Sequence, residues 1–379
     1  MRLLWITHSS LGINGTLCQT ASRGTIKALR DKGWAVEVVS TASNDSANEE
    51  TIDGFRWYKI SNNFPRGLQS ILLEKAFKNC VKSLLSKREF DLVIVNWSVC
   101  RGIIPLVKNK GIPIIVDDRS PPVHEDLLGR MQWIHYRYCW KSASRGADGF
   151  SFNSNELRKM ICEKYTISKP VCVYPSAVEV EKFEKTEFRE IPTIVYHGLL
   201  DRERGVWSIV RACDKLIERG LEIRLLMFGE GNDWQRLEKS TSHREWFELM
   251  PRCEKEEVPR RLSRAQIGVI PLPDKYQWRF SSPLKLFEYA AAGLNVIATD
   301  IPCHVAIGER SWLTLVDDNN ASITIADAIA EIIDSEQWEE KSKDARRDAL
   351  AEFSWDRSVE SLHGLCQKVV SRHVGVENG

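Results

Sequence analysis

Apolar residues run along this chain in two periods, and their order is that of an α/β protein. Short, nearly unbroken runs of aliphatic and β-branched residues recur at 3–7, 35–41, 55–60, 90–96, 111–116, 148–153, 171–174, 192–198, 222–228 and 267–273. Such runs read as strands, and the longer ones as strands of a parallel sheet buried on both faces. Between them lie stretches with helical spacing, at 67–90, 130–145, 154–165, 206–218, 321–335, 336–353 and from 354 to about 371. Strand and helix alternating over the whole length predict doubly wound sheets. A chain of 379 residues is long for one such core and ample for two. The charged segment 179–190 is the expected linker.

One stretch organises the second half: Ser281-Ser282-Pro283-Leu284-Lys285-Leu286-Phe287-Glu288-Tyr289-Ala290-Ala291-Ala292-Gly293, followed by the apolar 294–298. It reads as loop, short helix and strand, with Ser282 as N-cap, Pro283 at the first helical position and Gly293 just past the last. A helix that starts at the carboxyl edge of a parallel sheet turns free N–H groups toward the place where ligands of such folds bind, and suits a phosphate. Lys285 falls in its first turn, and Glu288 follows three residues later on the same face. By itself such a pair is as readily a solvated ion pair worth about 0.2–0.5 kcal/mol.

Other candidates stand at strand ends. After 3–7 comes a loop with Gly12 and Gly15, too few glycines and wrongly spaced for a dinucleotide fingerprint. After 111–116 comes the polar cluster Asp117-Asp118-Arg119, with His124 and Glu125 downstream, where a carboxylate or imidazole could polarise a hydroxyl. After Gly198 the run Leu199 to Gly205 carries Arg204 into the helix 206–218, and Arg204 could fork onto a diphosphate.

Charge adds one feature. The net charge is +1, yet residues 1–180 carry 25 Lys+Arg against 17 Asp+Glu, while the remainder carries 28 against 35. The basic half suggests an anionic partner. Two stretches concentrate it: 67–90, with Lys75, Lys78, Lys82, Lys87 and Arg88 among Leu68, Ile71, Leu72, Ala76, Leu84 and Leu85, and 130–145, with Trp133, Tyr136, Tyr138 and Trp140 among its cations. Each is a candidate for peripheral docking on anionic lipid, and each equally reads as an ordinary surface helix. No nucleic-acid recognition motif supports the remaining anionic partner. Ten cysteines without a C-x-x-C indicate neither a zinc ribbon nor a redox motif, and no leader is expected from residues 2–7. A cytoplasmic setting is expected, at the inner face of a membrane if the docking reading holds.

The run from Pro283 to Ala298 resembles the donor-binding signature of GT-B-fold glycosyltransferases, in the large retaining family that includes phosphatidylinositol mannosyltransferases and bacterial surface-polysaccharide glycosyltransferases. The resemblance implies two Rossmann-like α/β domains facing a central cleft: an acceptor-binding domain over 1–180, joined by the closing helix 354–379, and a donor-binding domain over 191–353. It implies transfer of a sugar, with retention, from a nucleotide-diphosphate donor to an acceptor hydroxyl in cell-surface glycan synthesis, the acceptor being a glycan that could be lipid-linked. The expected donor site comprises Arg204, Lys285, Glu288, Ser282, Gly12, Gly15 and Gly198, with Glu288 on the ribose. The expected catalytic group lies among Asp118, Asp117 and His124. No metal and no cofactor beyond the nucleotide sugar are expected. The sequence departs from the family at Leu199, where an arginine is common, and at Phe280, where a glutamate is. Two other functions fit the same architecture: a nucleotide-sugar epimerase, and a silent sugar-nucleotide-binding partner protein.

Overall fold

The computed structural model describes residues 1–8, 10–11, 17–42, 49–63, 69–122, 127–186 and 190–377. The chain folds as two compact units, Met1–Pro175 together with the residues from Ser358 onward, and Ser176–Arg357.

In the first unit the elements follow in the order β1 (Arg2–Thr7), α1 (Leu17–Asp31), β2 (Ala35–Ala42), β3 (Glu49–Ile52), β4 (Phe55–Ser61), α2 (Gln69–Lys87), β5 (Leu92–Asn96), α3 (Cys100–Lys108), β6 (Ile114–Asp118), α4 (Leu127–Gly146), β7 (Gly149–Phe152), α5 (Asn155–Tyr165) and β8 (Val171–Val173). The sheet order is β3-β4-β2-β1-β5-β6-β7-β8, parallel except for β3. Leu3, Leu4, Trp5 and Ile6 of β1 are all buried, as a central strand covered on both faces requires. Strand β3 is absent from the sequence reading. Its signal is Asp53-Gly54, whose φ angles of 48° and 75° make the two-residue turn that folds β3 back on β4.

Helix α2 departs from expectation in its packing. Leu73, Phe77, Val81, Leu84 and Leu85 are buried, a stripe at helical spacing against the sheet, and the lysines occupy the outer side. Leu68 and the side chain of Ile71, assigned to the apolar face, lie outside the described residues.

The second unit contains β9 (Thr193–Leu199), α6 (Val206–Glu218), β10 (Arg224–Glu230), α7 (Trp234–Thr241), β11 (Phe247–Pro251), α8 (Val258–Leu262), β12 (Ile267–Ile270), α9 (Leu284–Ala292), β13 (Asn295–Thr299), α10 (Pro302–Val305), β14 (Leu313–Val316), α11 (Ala321–Asp334) and α12 (Trp338–Glu352). A last helix, α13 (Trp355–Glu377), returns to the first unit. Its Val359, Leu362, Leu365, Cys366 and Val369 are buried there, and Trp34 donates to His363 at 3.0 Å.

The parallel order β11-β10-β9-β12-β13-β14 reverses direction between β9 and β12. From β9 the chain winds one way through α6 to β10; from β12 it winds the other way through α9 to β13. This is a topological switch point, and it sets the starts of α6 and α9 at one sheet edge.

Helix α9 is buried almost throughout, and Gly293 (φ 77°) ends it as expected. Its start is different. Pro283 occupies the cap position and no side chain caps the helix. The Ser282 hydroxyl instead accepts the Ser176 N–H at 2.8 Å, so it is spent on the segment entering the unit. Seating α9 on β12 depends on Gly268, where a Cβ would lie 2.4 Å from the Tyr289 ring. Gly268→Ala should therefore cost about 1–3 kcal/mol by overpacking, read as a lowered midpoint in urea unfolding; an unchanged midpoint would show that α9 can shift without cost.

Candidate functional site

At the switch point three expected donor residues meet. Gly198 closes β9 with φ 112°, and a Cβ there would stand 2.9 Å from Lys285 Cε and 3.1 Å from its Nζ. The ammonium thus lies against bare main chain, with the Tyr196 ring 5.4 Å from Nζ. Arg204 arrives through the tight turn Arg202–Arg204, which Gly205 (φ 75°) converts into the start of α6. Its guanidinium sits over the Trp278 ring at 4.9 Å.

The electrostatics of this corner are unbalanced. Nearby, Lys275 pairs with Glu203 at 3.4 Å, and Arg279 grips both carboxylate oxygens of Asp274 at 2.8 and 2.6 Å. Among the described residues, neither Arg204 nor Lys285 has an ion-pair partner. Burial of the half-exposed Lys285, then the Arg204 charge beside it, pulls the ammonium's pKa down to about 8, with Glu288 opposing. Two cations thus stand side by side with only Glu288, one turn along α9, acting against their repulsion.

Glu288, one turn along α9, is 8% exposed. Its Oε2 is 3.1 Å from His197 Nε2, within ion-pair reach but not aligned as a hydrogen bond, so both atoms remain buried without a hydrogen-bond partner. The His197 ring is held by stacking on Phe228 and by the edge of Tyr289, whose hydroxyl accepts the His197 N–H at 3.3 Å. Two further buried polar atoms at this edge lack partners: Trp278 Nε1 and His304 Nε2. His197 and His304 were not foreseen. Their only sequence signal is position, directly before Gly198 and just after the apolar strand 295–299.

The other expected site residues are not brought to this corner. Asp117 and Asp118 end β6 in the first unit, both buried. Asp117 accepts from Ser151 and Tyr174, each at 2.8 Å. Asp118 accepts from Tyr136 at 2.6 Å, Trp140 at 3.0 Å and the Ser120 N–H at 3.2 Å. Asp117 Oδ1 and both Asp118 oxygens are thus bonded within the first unit. Burial pushes Asp118 up to about 7, against the pull of the Tyr136 and Trp140 donors. Ser282 is occupied as described above, and Gly12, Gly15 and His124 lie outside the described residues. Among the described residues, no cluster of His, Cys, Asp or Glu has the arrangement of a metal site.

Comparison with known proteins bears on both units. A family model described as "Glycosyl transferases group 1" matches residues 191–335, and one described as "Glycosyltransferase Family 4" matches residues 21–182. No curated protein sequence matches the chain. Among solved structures, a sucrose-phosphate synthase from Thermosynechococcus elongatus is similar with a TM-score of 0.79 at 16% identity, covering 98% of this chain and 99% of its own. The Anabaena protein HepE in complex with UDP is similar at TM-score 0.69 and 11% identity, covering 99% and 100%. A UDP-forming α,α-trehalose-phosphate synthase from Burkholderia xenovorans, in complex with glucose-6-phosphate, is similar at TM-score 0.69 and 12% identity, covering 97% and 100%. Each half of the chain thus matches a glycosyltransferase family model, and the fold is that of the GT-B glycosyltransferases.

The buried Asp118 carboxyl has a consequence for stability. The folded protein keeps its proton up to about pH 7, whereas the unfolded chain releases it near the ordinary 3.8. Its contribution to stability is therefore complete below about pH 4 and is lost as pH rises through 7. Urea unfolding at pH 5 and pH 8 should show wild type losing more stability over that interval than Asp118→Asn; parallel losses would mean that Asp118 is ionised throughout.

Proposed function

We propose that the chain transfers a sugar from a nucleotide-diphosphate donor to an acceptor hydroxyl. The observation that carries this reading is the pair Arg204 and Lys285, two cations with no ion-pair partner among the described residues, at the switch point of the second sheet. A diphosphate supplies the missing charge. In the transfer step the bond between anomeric carbon and diphosphate breaks, negative charge builds on the leaving oxygens, and the two fixed cations stabilise it where water would have to reorganise. This does without a metal the work that a divalent cation does elsewhere. Glu288, with an unpartnered buried oxygen, accepts from the ribose hydroxyls. Retention, with the donor phosphate helping to take the acceptor proton, rests on the family resemblance alone. Asp117 and Asp118 we assign to positioning the β6 edge.

For the acceptor we favour a lipid-linked glycan reached at an anionic membrane surface. Among the described residues no helix is long and apolar enough to cross a membrane, so contact would be peripheral. The structure distinguishes the two candidate stretches. Helix α2 uses its large apolar side chains in the core. Helix α4 instead leaves Leu127, Met131, Ile134 and Tyr138 more than half exposed in one stripe, flanked by exposed Arg130, Arg137, Lys141 and Arg145. Apolar side chains to insert and cations to meet lipid headgroups lie together on α4.

Two experiments test these readings. Calorimetric titration with UDP, GDP and ADP should show one nucleotide binding, weakened about tenfold or more by Lys285→Ala and by Glu288→Ala. A bound diphosphate raises the Lys285 pKa, so affinity should fall as pH rises above about 8, and that slope should vanish in Lys285→Ala. No binding of any nucleotide to folded wild type would remove the donor reading. For α4, sedimentation with vesicles containing phosphatidylserine should be reduced about tenfold by the double change Met131→Ser and Ile134→Ser; equal sedimentation would exclude α4 as the docking element.

A further inference from the structure

Helix α10 carries a histidine for which the diphosphate reading has no use. His304 is fully buried. Its Nδ1 lies 2.7 Å from the Thr299 carbonyl oxygen, a group that can only accept, so Nδ1 carries the hydrogen and Nε2 presents a bare lone pair. Burial, with the Lys285 charge close enough to add to it, pulls the ring's pKa down to about 4 and keeps it neutral. The lone pair has no partner. A buried acceptor left unpaired is unfavourable, and a ligand donor would relieve it.

The residue that faces this problem from the other side is Trp278. Its indole N–H is buried and unpaired, while its ring face is occupied by Arg204. The turn Trp278–Phe280 packs against α10. Beside His197 Nε2 and Glu288 Oε2, the corner that gathers the cations therefore also holds an orphan acceptor at His304 and an orphan donor at Trp278, neither charged. Phosphate oxygens can only accept, and so cannot satisfy His304. Hydroxyls both donate and accept.

We propose that His304 Nε2 and Trp278 Nε1 read hydroxyl groups of the sugar carried by the nucleotide donor, as specificity residues distinct from the diphosphate clamp. The inference rests on the donor reading above. It also implies selection by hydroxyl: a site whose buried polar groups are left unpaired by a deoxy sugar rejects it more strongly than a site of apolar shape would.

The test separates the two levels. Wild type, His304→Phe and Trp278→Phe are titrated with UDP, GDP and ADP, and then with UDP-glucose, GDP-mannose or ADP-glucose according to which nucleotide binds. Phenylalanine at 278 keeps a six-membered ring face for Arg204 while removing the N–H and the rest of the five-membered ring, and at 304 it removes the bond to Thr299, so thermal melts of both variants are compared in parallel. Expected is unchanged affinity for the free nucleotide and a loss of roughly three- to tenfold for the nucleotide sugar in each variant. Equal losses for nucleotide and nucleotide sugar, or none for either, would overturn the proposal. If His304→Phe fails to fold, Trp278→Phe alone decides. Absence of nucleotide binding to wild type would instead sink the donor reading on which the proposal stands.

Discussion

A lysine side chain can lie along a main chain only where that main chain has nothing of its own to put there. Gly198 provides the gap, and its left-handed backbone is one that other residues rarely adopt. The rest of the corner follows from that contact. Because β9 and β12 are neighbours, α9 begins beside the end of β9, and the second residue of α9 is the lysine that fills the gap. Gly205 meets a similar constraint: a Cβ there would lie 2.0 Å from the Pro271 carbonyl oxygen, so the turn bearing Arg204 closes directly over the end of β12. Two close approaches, each requiring a glycine, bring two cations to one place.

Bringing like charges together is unfavourable, and the second unit leaves that cost unrelieved. The surrounding surface shows that counter-charges were available, since Lys275 and Arg279 in the adjoining loop each have one. The first unit handles its own buried charges in the opposite way. Asp117 Oδ1 and both oxygens of Asp118 accept from hydroxyl, indole and amide donors of their own unit. One edge bonds its charges mostly within the unit, whereas the other leaves two cations without an ion-pair partner among the described residues.

Much of the fold was legible because parallel strands buried on both faces are written as unbroken apolar runs, as at Leu3 to Ile6. The proximity of Arg204, Lys285 and Gly198 was legible for a related reason: strand, turn and helix start are local, so each could be placed by position along the chain. What local pattern does not encode is which way a strand-end side chain turns. A run buried on both faces has no alternation to orient Asp117 and Asp118, and the donors that hold them, among them Tyr136 and Trp140 of α4, Ser151 and Tyr174, are distant in sequence. Ser282 failed as a cap for the same reason, since its partner Ser176 is more than a hundred residues away. The orphan nitrogens of His197 and His304 are invisible in sequence, because lacking a partner is a property of the packed state.

The return of α13 to the first unit has a consequence for how the molecule is made. Emerging from the ribosome, residues 1–175 hold every strand of their sheet but not the stripe from Val359 to Val369 that covers it. The second unit, Ser176–Arg357, is by then wholly synthesised and can close around its own core. The half that begins first is completed last. Until its final helix arrives, the first unit lacks the side chains of Val359, Leu362, Leu365, Cys366 and Val369 that complete its core.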